Sequence, residues 1–258
     1  MDGKMGVRIK WLGCACFEMD FGGLTVVNDP WVTDNEGTSL TYEDVEKCDL
    51  ITLTHSHFDH IMDIPALVKK FSSKLLTGQL TALPMIKWTD MCPMHVYPMN
   101  PGLELDFDAV KIKALFGTHT VLAPTWTELK EKLNKRDVVR NDPMVEELAM
   151  IGSIEYTNFL YTLPNGTKVL IWGNELTPEQ CNMLREIKPD IAVLQMTRNS
   201  PEKTADICIE MGSKVVITNH IDFPRDYMHM ATGLKEELAK RAPEVNCIIP
   251  EYGTWIDL

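Results

Sequence analysis

The chain has 258 residues, 45% hydrophobic and 24% charged, which is ordinary globular usage that excludes disorder and suffices for a sizeable core. A formal net charge of −12, with no Lys/Arg run interleaved with aromatics, argues against long nucleic acid as a partner and leaves a small-molecule substrate as the expectation. Residues 1–10 lack a signal-peptide apolar segment, no stretch approaches roughly eighteen apolar residues, and the seven scattered cysteines form no Cys-x-x-Cys pair, so one domain over residues 1–258 is expected in a reducing cytoplasm, without membrane association.

Taken in order, Val7 to Leu12 reads as a strand, and Cys14 to Phe21 with Leu24 to Asn28 as a hairpin turning at Gly22-Gly23. Leu50-Ile51-Thr52-Leu53 is a short apolar run that ends in a polar, His-rich segment; Ile64, Leu67, Val68 and Phe71 then recur at helical spacing. A second series runs from Val110 to Leu115 and stops at Gly117-Thr118-His119. After it, Trp126, Leu129 and Leu133 share one helical stripe, and a further helix is expected from Pro143 to Ala149, so a helical insertion spans about 124–150. These helices suit either a cover over a pocket or a contact in a homo-oligomer.

Ile154 to Leu163 and Thr167 to Trp172 read as two strands joined through the turn Pro164-Asn165-Gly166. The last third alternates: strand at Ile191 to Leu194, helix at Pro201 to Met211, strand at Val215 to Thr218, helix at Tyr227 to Lys240, strand at Cys247 to Ile249. Strands first, then strands alternating with helices, predict an α/β (α+β) chain built as a four-layer αββα sandwich, two mixed β-sheets with helices on both outer faces.

The segment Thr54-His55-Ser56-His57-Phe58-Asp59-His60 puts four ligand-type side chains within six residues, directly after an apolar strand. Imidazole and carboxylate suit zinc, iron or manganese, and a loop can turn them toward one point where a helix would splay alternate residues apart. His119 and His220 each follow an apolar strand as well, where a sheet edge presents residues to a shared site. A single loop histidine is usually just solvated; six donors in this arrangement are not.

His-x-His-x-Asp-His, then Gly-Thr-His and Asn-His at strand ends, resembles the metallo-β-lactamase superfamily. Trp11-Leu12-Gly13, Asn28-Asp29-Pro30 and Pro201-Glu202-Lys203-Thr204-Ala205 extend the likeness to its lactonase-like branch, which includes ascorbate-6-phosphate lactonase relatives. The resemblance implies that His55, His57 and His119 bind one divalent ion and that Asp59, His60 and His220 bind a second, with zinc preferred and manganese or iron as alternatives. It implies that Asp29 backs an imidazole; a turn role before Pro30 is the competing reading. It implies, finally, a hydrolase in which a metal-bound hydroxide, oriented by Asp59, cleaves a small ester, lactone or phosphodiester. A non-hydrolytic iron or redox centre and a catalytically weakened metal-binding scaffold are the alternatives.

Two positions depart from the family pattern. Where relatives carry a bridging aspartate after Gly, this chain has Gly173-Asn174, which leaves the metal pair with excess positive charge and predicts a loosely held second ion unless Glu175 or Asp222 compensates. Where relatives often carry histidine after Leu-Gly, it has Cys14, for which burial alongside Cys16 on one side of a strand is favoured over metal binding. Arg198, in the loop before the Pro201 helix, serves either as an anchor for a substrate carboxylate or phosphate or as a surface ion pair.

Overall fold

The computed structural model describes residues 6–119, 125, 127, 128, 131 and 142–258. Two seven-stranded mixed sheets are packed face to face. In the first, β1 (Arg8–Gly13), β2 (Cys16–Asp20) and β3 (Thr25–Asn28) form an antiparallel meander, continued in parallel by β4 (Leu50–Thr52), β5 (Lys74–Gly78) and β6 (Val96–Met99). In the second, β7 (Glu104–Asp106), β8 (Lys111–Phe116), β9 (Thr157–Thr162) and β10 (Lys168–Trp172) are antiparallel, and β11 (Ile191–Gln195), β12 (Val215–Asn219) and β13 (Asn246–Ile248) extend the sheet in parallel from β10. The last strand, β14 (Trp255–Asp257), returns to the first sheet beside β1.

The parallel strands need crossovers, and most of the helices supply them. After the short α1 (Phe58–Ile61), α2 (Ile64–Phe71) and α3 (Gln79–Thr89) bury Ile64, Leu67, Ala82 and Met85 against Ile51 and Leu75 of the first sheet. On the second sheet, α5 (Pro178–Ile187), α6 (Pro201–Met211) and α7 (Met228–Arg241) contribute Leu184, Ala205, Cys208, Leu234 and Leu238 to the main core. Between the sheets the same core joins Ile9, Phe17 and Met19 to Ile112, Phe159 and Tyr161. The four-layer sandwich expected from the sequence is therefore the architecture observed. Central strands such as Ile191–Gln195 and Val215–Asn219 are covered on both faces, which is why they read as unbroken apolar runs.

Helix starts follow their local chemistry. In α4 (Pro143–Gly152), α5 and α6 a proline opens the helix, and the preceding Asp142, Thr177 or Ser200 accepts a hydrogen bond from the backbone N–H of Met144, Gln180 or Lys203, respectively. Among the described residues no helix is long and apolar enough to cross a membrane. The helical insertion expected at about 124–150 is described only in part: α4 matches its second helix, while the stripe of Trp126, Leu129 and Leu133 lies outside the described residues.

Three expectations change in detail. The strand expected from Ile154 begins at Thr157, because residues 153–156 fold back against the His-rich segment. That segment is not wholly a loop: His55 and His57 are extended, but Asp59 and His60 sit on the single turn of α1. Cys14 is not on a strand with Cys16; it occupies a left-handed turn at φ +45° between β1 and β2, and the two thiols pack in different clusters. Not foreseen at all are β5, β6, β7, β14, α3 and α5. Of these, α3 has no clean apolar stripe, leaving Leu80 and Leu83 exposed and carrying Pro84 inside.

Candidate metal centre

The six expected donors converge. His55, His57, Asp59, His60, His119 and His220 line one cavity of about 560 Å³, whose remaining wall includes Gln195, Thr197, Arg198, Phe223, Arg225 and Tyr227. All six donors are buried: His55 and His57 follow β4, Asp59 and His60 sit on α1, and His119 and His220 follow β8 and β12. Within this floor His55, His57 and His119 each bring one ligand atom within 4.8 Å of the others, and so do Cys14, Asp59 and His220.

Most of the rings have their outward nitrogen fixed by a neighbour, which decides the tautomer and leaves the other nitrogen for the cavity. Thr54 Oγ1 donates to Asp29 Oδ2 at 2.7 Å, so its oxygen is left to accept from His55 Nδ1 at 3.1 Å. Ser153 Oγ donates to the Ala149 carbonyl at 2.9 Å and accepts from His57 Nε2 at 2.8 Å. His220 Nδ1 donates to the Phe223 carbonyl at 2.5 Å, which turns Nε2 inward. His60 Nδ1 lies 2.9 Å from Asp29 Oδ2, and its Nε2 lies 3.5 Å from Asp59 Oδ2.

The fold puts these backing groups in place through close approach. A Cβ on Gly152, the last residue of α4, would meet the backbone nitrogens of Ser56 and His57 at 2.8 and 2.9 Å; only glycine lets the helix end seat the His55–His57 segment. Ser56 Oγ adds a hydrogen bond to the Leu148 carbonyl at 2.6 Å. A Cβ on Gly173 would lie 2.0 Å from the Tyr156 hydroxyl, whose ring stacks on His55 at 4.9 Å. Helix α4 and the segment after it thus form a wall behind the imidazoles.

Electrostatics divide the donors. Burial and the neighbouring rings of His60, His57 and His119 hold His55 well below the usual histidine range; burial, His57 and Arg198 do the same to His119. Both are neutral, the form that ligates. Burial opposes the ionised form of Asp59, yet His60 and His220 outweigh it and hold the carboxyl well below its usual range. Burial likewise opposes the charged form of His60, but Asp59 and Asp29 raise it to about 10. Burial, then Asp59 and Asp222, push the Cys14 thiol up.

The donor set fits a transition-metal ion. Edges of a tetrahedral centre with bonds of about 2.0–2.3 Å run about 3.3–3.8 Å. Asp59 Oδ2 lies 3.5 Å from both His220 Nε2 and His60 Nε2, and Cys14 Sγ lies 3.4 Å from His220 Nε2.

The other singled-out residues fall as follows. Asp29, also at positive φ, carries both of its readings at once: it turns the chain and accepts from the Thr54 N–H at 2.7 Å while facing His60. Asn174 is buried, but both ends of its amide are engaged, Oδ1 by Asn158 Nδ2 and Nδ2 by the Thr118 carbonyl at 2.5 Å, so it props up the residue before His119. Glu175 is exposed and Asp222 lies behind Cys14, so neither joins the cavity wall. Arg198 does join it. Sequence reasoning missed Ser153 and Tyr156 as backing groups, Arg225 in the wall and the proximity of Cys14 to His220. Only the Leu-Gly-Cys departure offered a signal for any of them.

Residues 8–133 match the family model of the beta-lactamase superfamily domain. A UPF0173 metal-dependent hydrolase from Thermoplasma volcanium is 31% identical over 116 residues, 45% of this chain and 49% of that protein. The match spans about half the length of this relative. Among solved structures, a metallo hydrolase from Ignicoccus hospitalis superposes with a TM-score of 0.70 at 18% identity over 98% of both chains. A diiron β-hydroxylase from Streptomyces venezuelae superposes with a TM-score of 0.64 at 13% identity, over 98% of this chain and 54% of that one. At such identities the structural likeness is one of fold.

Proposed function

We propose that this chain, which belongs to the metallo-β-lactamase superfamily, is in its single domain a zinc-dependent hydrolase of a small ester, lactone or phosphodiester. Supporting it is the convergence of five imidazoles and one carboxylate on a single cavity floor, with three of the rings hydrogen-bonded from behind so that a nitrogen faces inward. His55, His57 and His119 would hold one divalent ion, and Asp59, His60 and His220 would hold or adjoin a second. When bound, such ions lower the pKa of water to about 7 and draw electron density from a carbonyl or phosphoryl oxygen.

The remaining work falls to the chain itself. Asp59, held ionised at the cavity floor, orients the attacking water by accepting its hydrogen bond. Arg198 offers two parallel N–H donors to a substrate carboxylate or phosphate, and Arg225 adds a second guanidinium to the same wall. The Tyr227 phenol, in that wall too, is the proton donor we assign to the leaving oxygen, on the ground that it lines the same cavity. Asn174 stays out of the chemistry and fixes the Thr118–His119 turn. The buried, unpaired cysteines 14, 16, 48, 208 and 247 suit a reducing cytoplasm.

A screen of lactones, aryl esters and bis-aryl phosphodiesters, run on metal-stripped protein reloaded with zinc, manganese or iron, tests the assignment. Turnover that disappears on stripping and returns with zinc is expected. Failure to take up any of the three ions would overturn it. The likeness to the diiron β-hydroxylase keeps one other reading in play: uptake of iron with oxygen consumption and no hydrolysis would favour it, and ion uptake without turnover would leave a binding scaffold.

A further inference from the structure

Cys14 is held with more care than a space-filling thiol needs. It sits at φ +45°, outside the range a cysteine adopts without strain. Its N–H donates to both oxygens of Asp222 at 3.0 Å, and its carbonyl accepts from the His220 N–H at 2.9 Å and from Trp11 Nε1 at 3.0 Å. Asp222 is braced in turn by Asn35 Nδ2 at 3.2 Å and by the Tyr252 hydroxyl at 3.0 Å. His220 is also at positive φ. Two turns that are each unfavourable alone are thus pinned to one another, and the result is a sulfur 3.4 Å from His220 Nε2, in one group with Asp59.

A thiol buried for packing alone has apolar neighbours, as Cys208 has in the main core. Cys14 packs against Trp31, Phe58 and Val145 on one side and on the other adjoins an inward-facing imidazole nitrogen and a carboxylate. Charge points the same way. The six expected donors include a single anion, Asp59, and the amide of Asn174 is turned to Asn158 and Thr118. A thiolate at position 14 would give the centre the second anion that an aspartate at position 174 would have given.

We propose that Cys14, as its thiolate, is a ligand of the second cation together with Asp59 and His220, and that it compensates for Asn174 and biases that position toward zinc or cobalt over manganese. The inference rests on the proposal that the cluster binds divalent ions. On binding, the sulfur–metal bond forms as the S–H bond breaks, and the proton leaves to solvent; no oxidant or reductant is involved. Soft sulfur favours zinc and cobalt(II), whereas manganese prefers oxygen donors.

Titrating the metal-stripped full-length protein with cobalt(II) tests this by absorbance. A near-ultraviolet sulfur-to-cobalt charge-transfer band is expected to grow with the second equivalent. It should be lost in Cys14→Ser, which also weakens the second cobalt by more than about 100-fold. Cys14→Asp should keep the second ion without the band and shift its preference toward manganese. X-ray absorption of the zinc-loaded wild type, which needs no variant, should show a sulfur shell at about 2.3 Å. Two bound cobalt ions with visible d–d absorption but no sulfur band, or a band unchanged in Cys14→Ser, would overturn the role of Cys14 and leave the hydrolase proposal standing. No cobalt uptake at all would overturn both.

Discussion

His55, His57 and His119 meet as three rings, two of them kept neutral by burial, whereas Cys14, Asp59 and His220 meet around an ionised carboxylate. The first group is assembled with little strain: two donors come from one extended segment, and α4 needs only a glycine and a serine to back them. The second draws its donors from three distant places, sets two of them on left-handed turns, and relies on Asp222 behind Cys14 and the Phe223 carbonyl behind His220 as buttresses. Neutral donors can be gathered by burial alone. Keeping a carboxylate charged there takes counter-residues, the His60 and His220 rings beside Asp59, because an uncompensated buried charge costs more than a hydrogen bond returns.

The largest effect should come from the first group. His57→Ala removes a donor there and is expected to lower turnover by roughly 1000-fold or more while circular dichroism stays native, since a domain of this size does not depend on the ion for its core. Wild-type turnover in that variant would mean that the three-ring group is not the reactive one. Next, Asp29→Asn should weaken the second ion by about 10- to 100-fold in chelator competition, through His60, and the first by less, through Thr54 and His55. Equal loss at both ions would erase the distinction between the groups.

Ser153→Ala is the matching probe behind His57. It should weaken the first ion by roughly tenfold, the lower end of the same range, because the ring keeps its position through packing while losing the acceptor that fixes its tautomer. The smallest effect concerns stability. Asn174→Asp replaces the amide donor facing the Thr118 carbonyl with an oxygen, and should destabilise the metal-stripped protein by about 1–3 kcal/mol in denaturant unfolding. A stabilised variant would show that the aspartate had found the cavity after all.

Much of this was legible before any coordinates. The sandwich followed from unbroken apolar runs alternating with helical periods in the last third, and the six donors from a dense motif plus two histidines at strand ends. What escaped did so for physical reasons. The role of α3 is hidden by a face that leaves Leu80 and Leu83 exposed. Ser153 meets His57 across 96 residues of chain, and a buried serine has no local pattern that says what it will accept from. At Cys14 the sequence offers burial or metal binding and favours burial; the left-handed turn that buries the thiol beside the donors is braced by Asp222, a residue 208 positions away.

On the proposed ligand sets, the clasp between Cys14 and His220 would put the second cation last in the order of synthesis. Their side chains are separated by 206 residues, so at about 5–20 residues per second a ribosome emits the second partner roughly 10–40 s after the first. The three-ring group has its donors once His119 has emerged and its backing residues once Asn174 has. A nascent chain would therefore pass through an interval in which it can hold one ion but not two, and translation halted short of position 220 would strand it there.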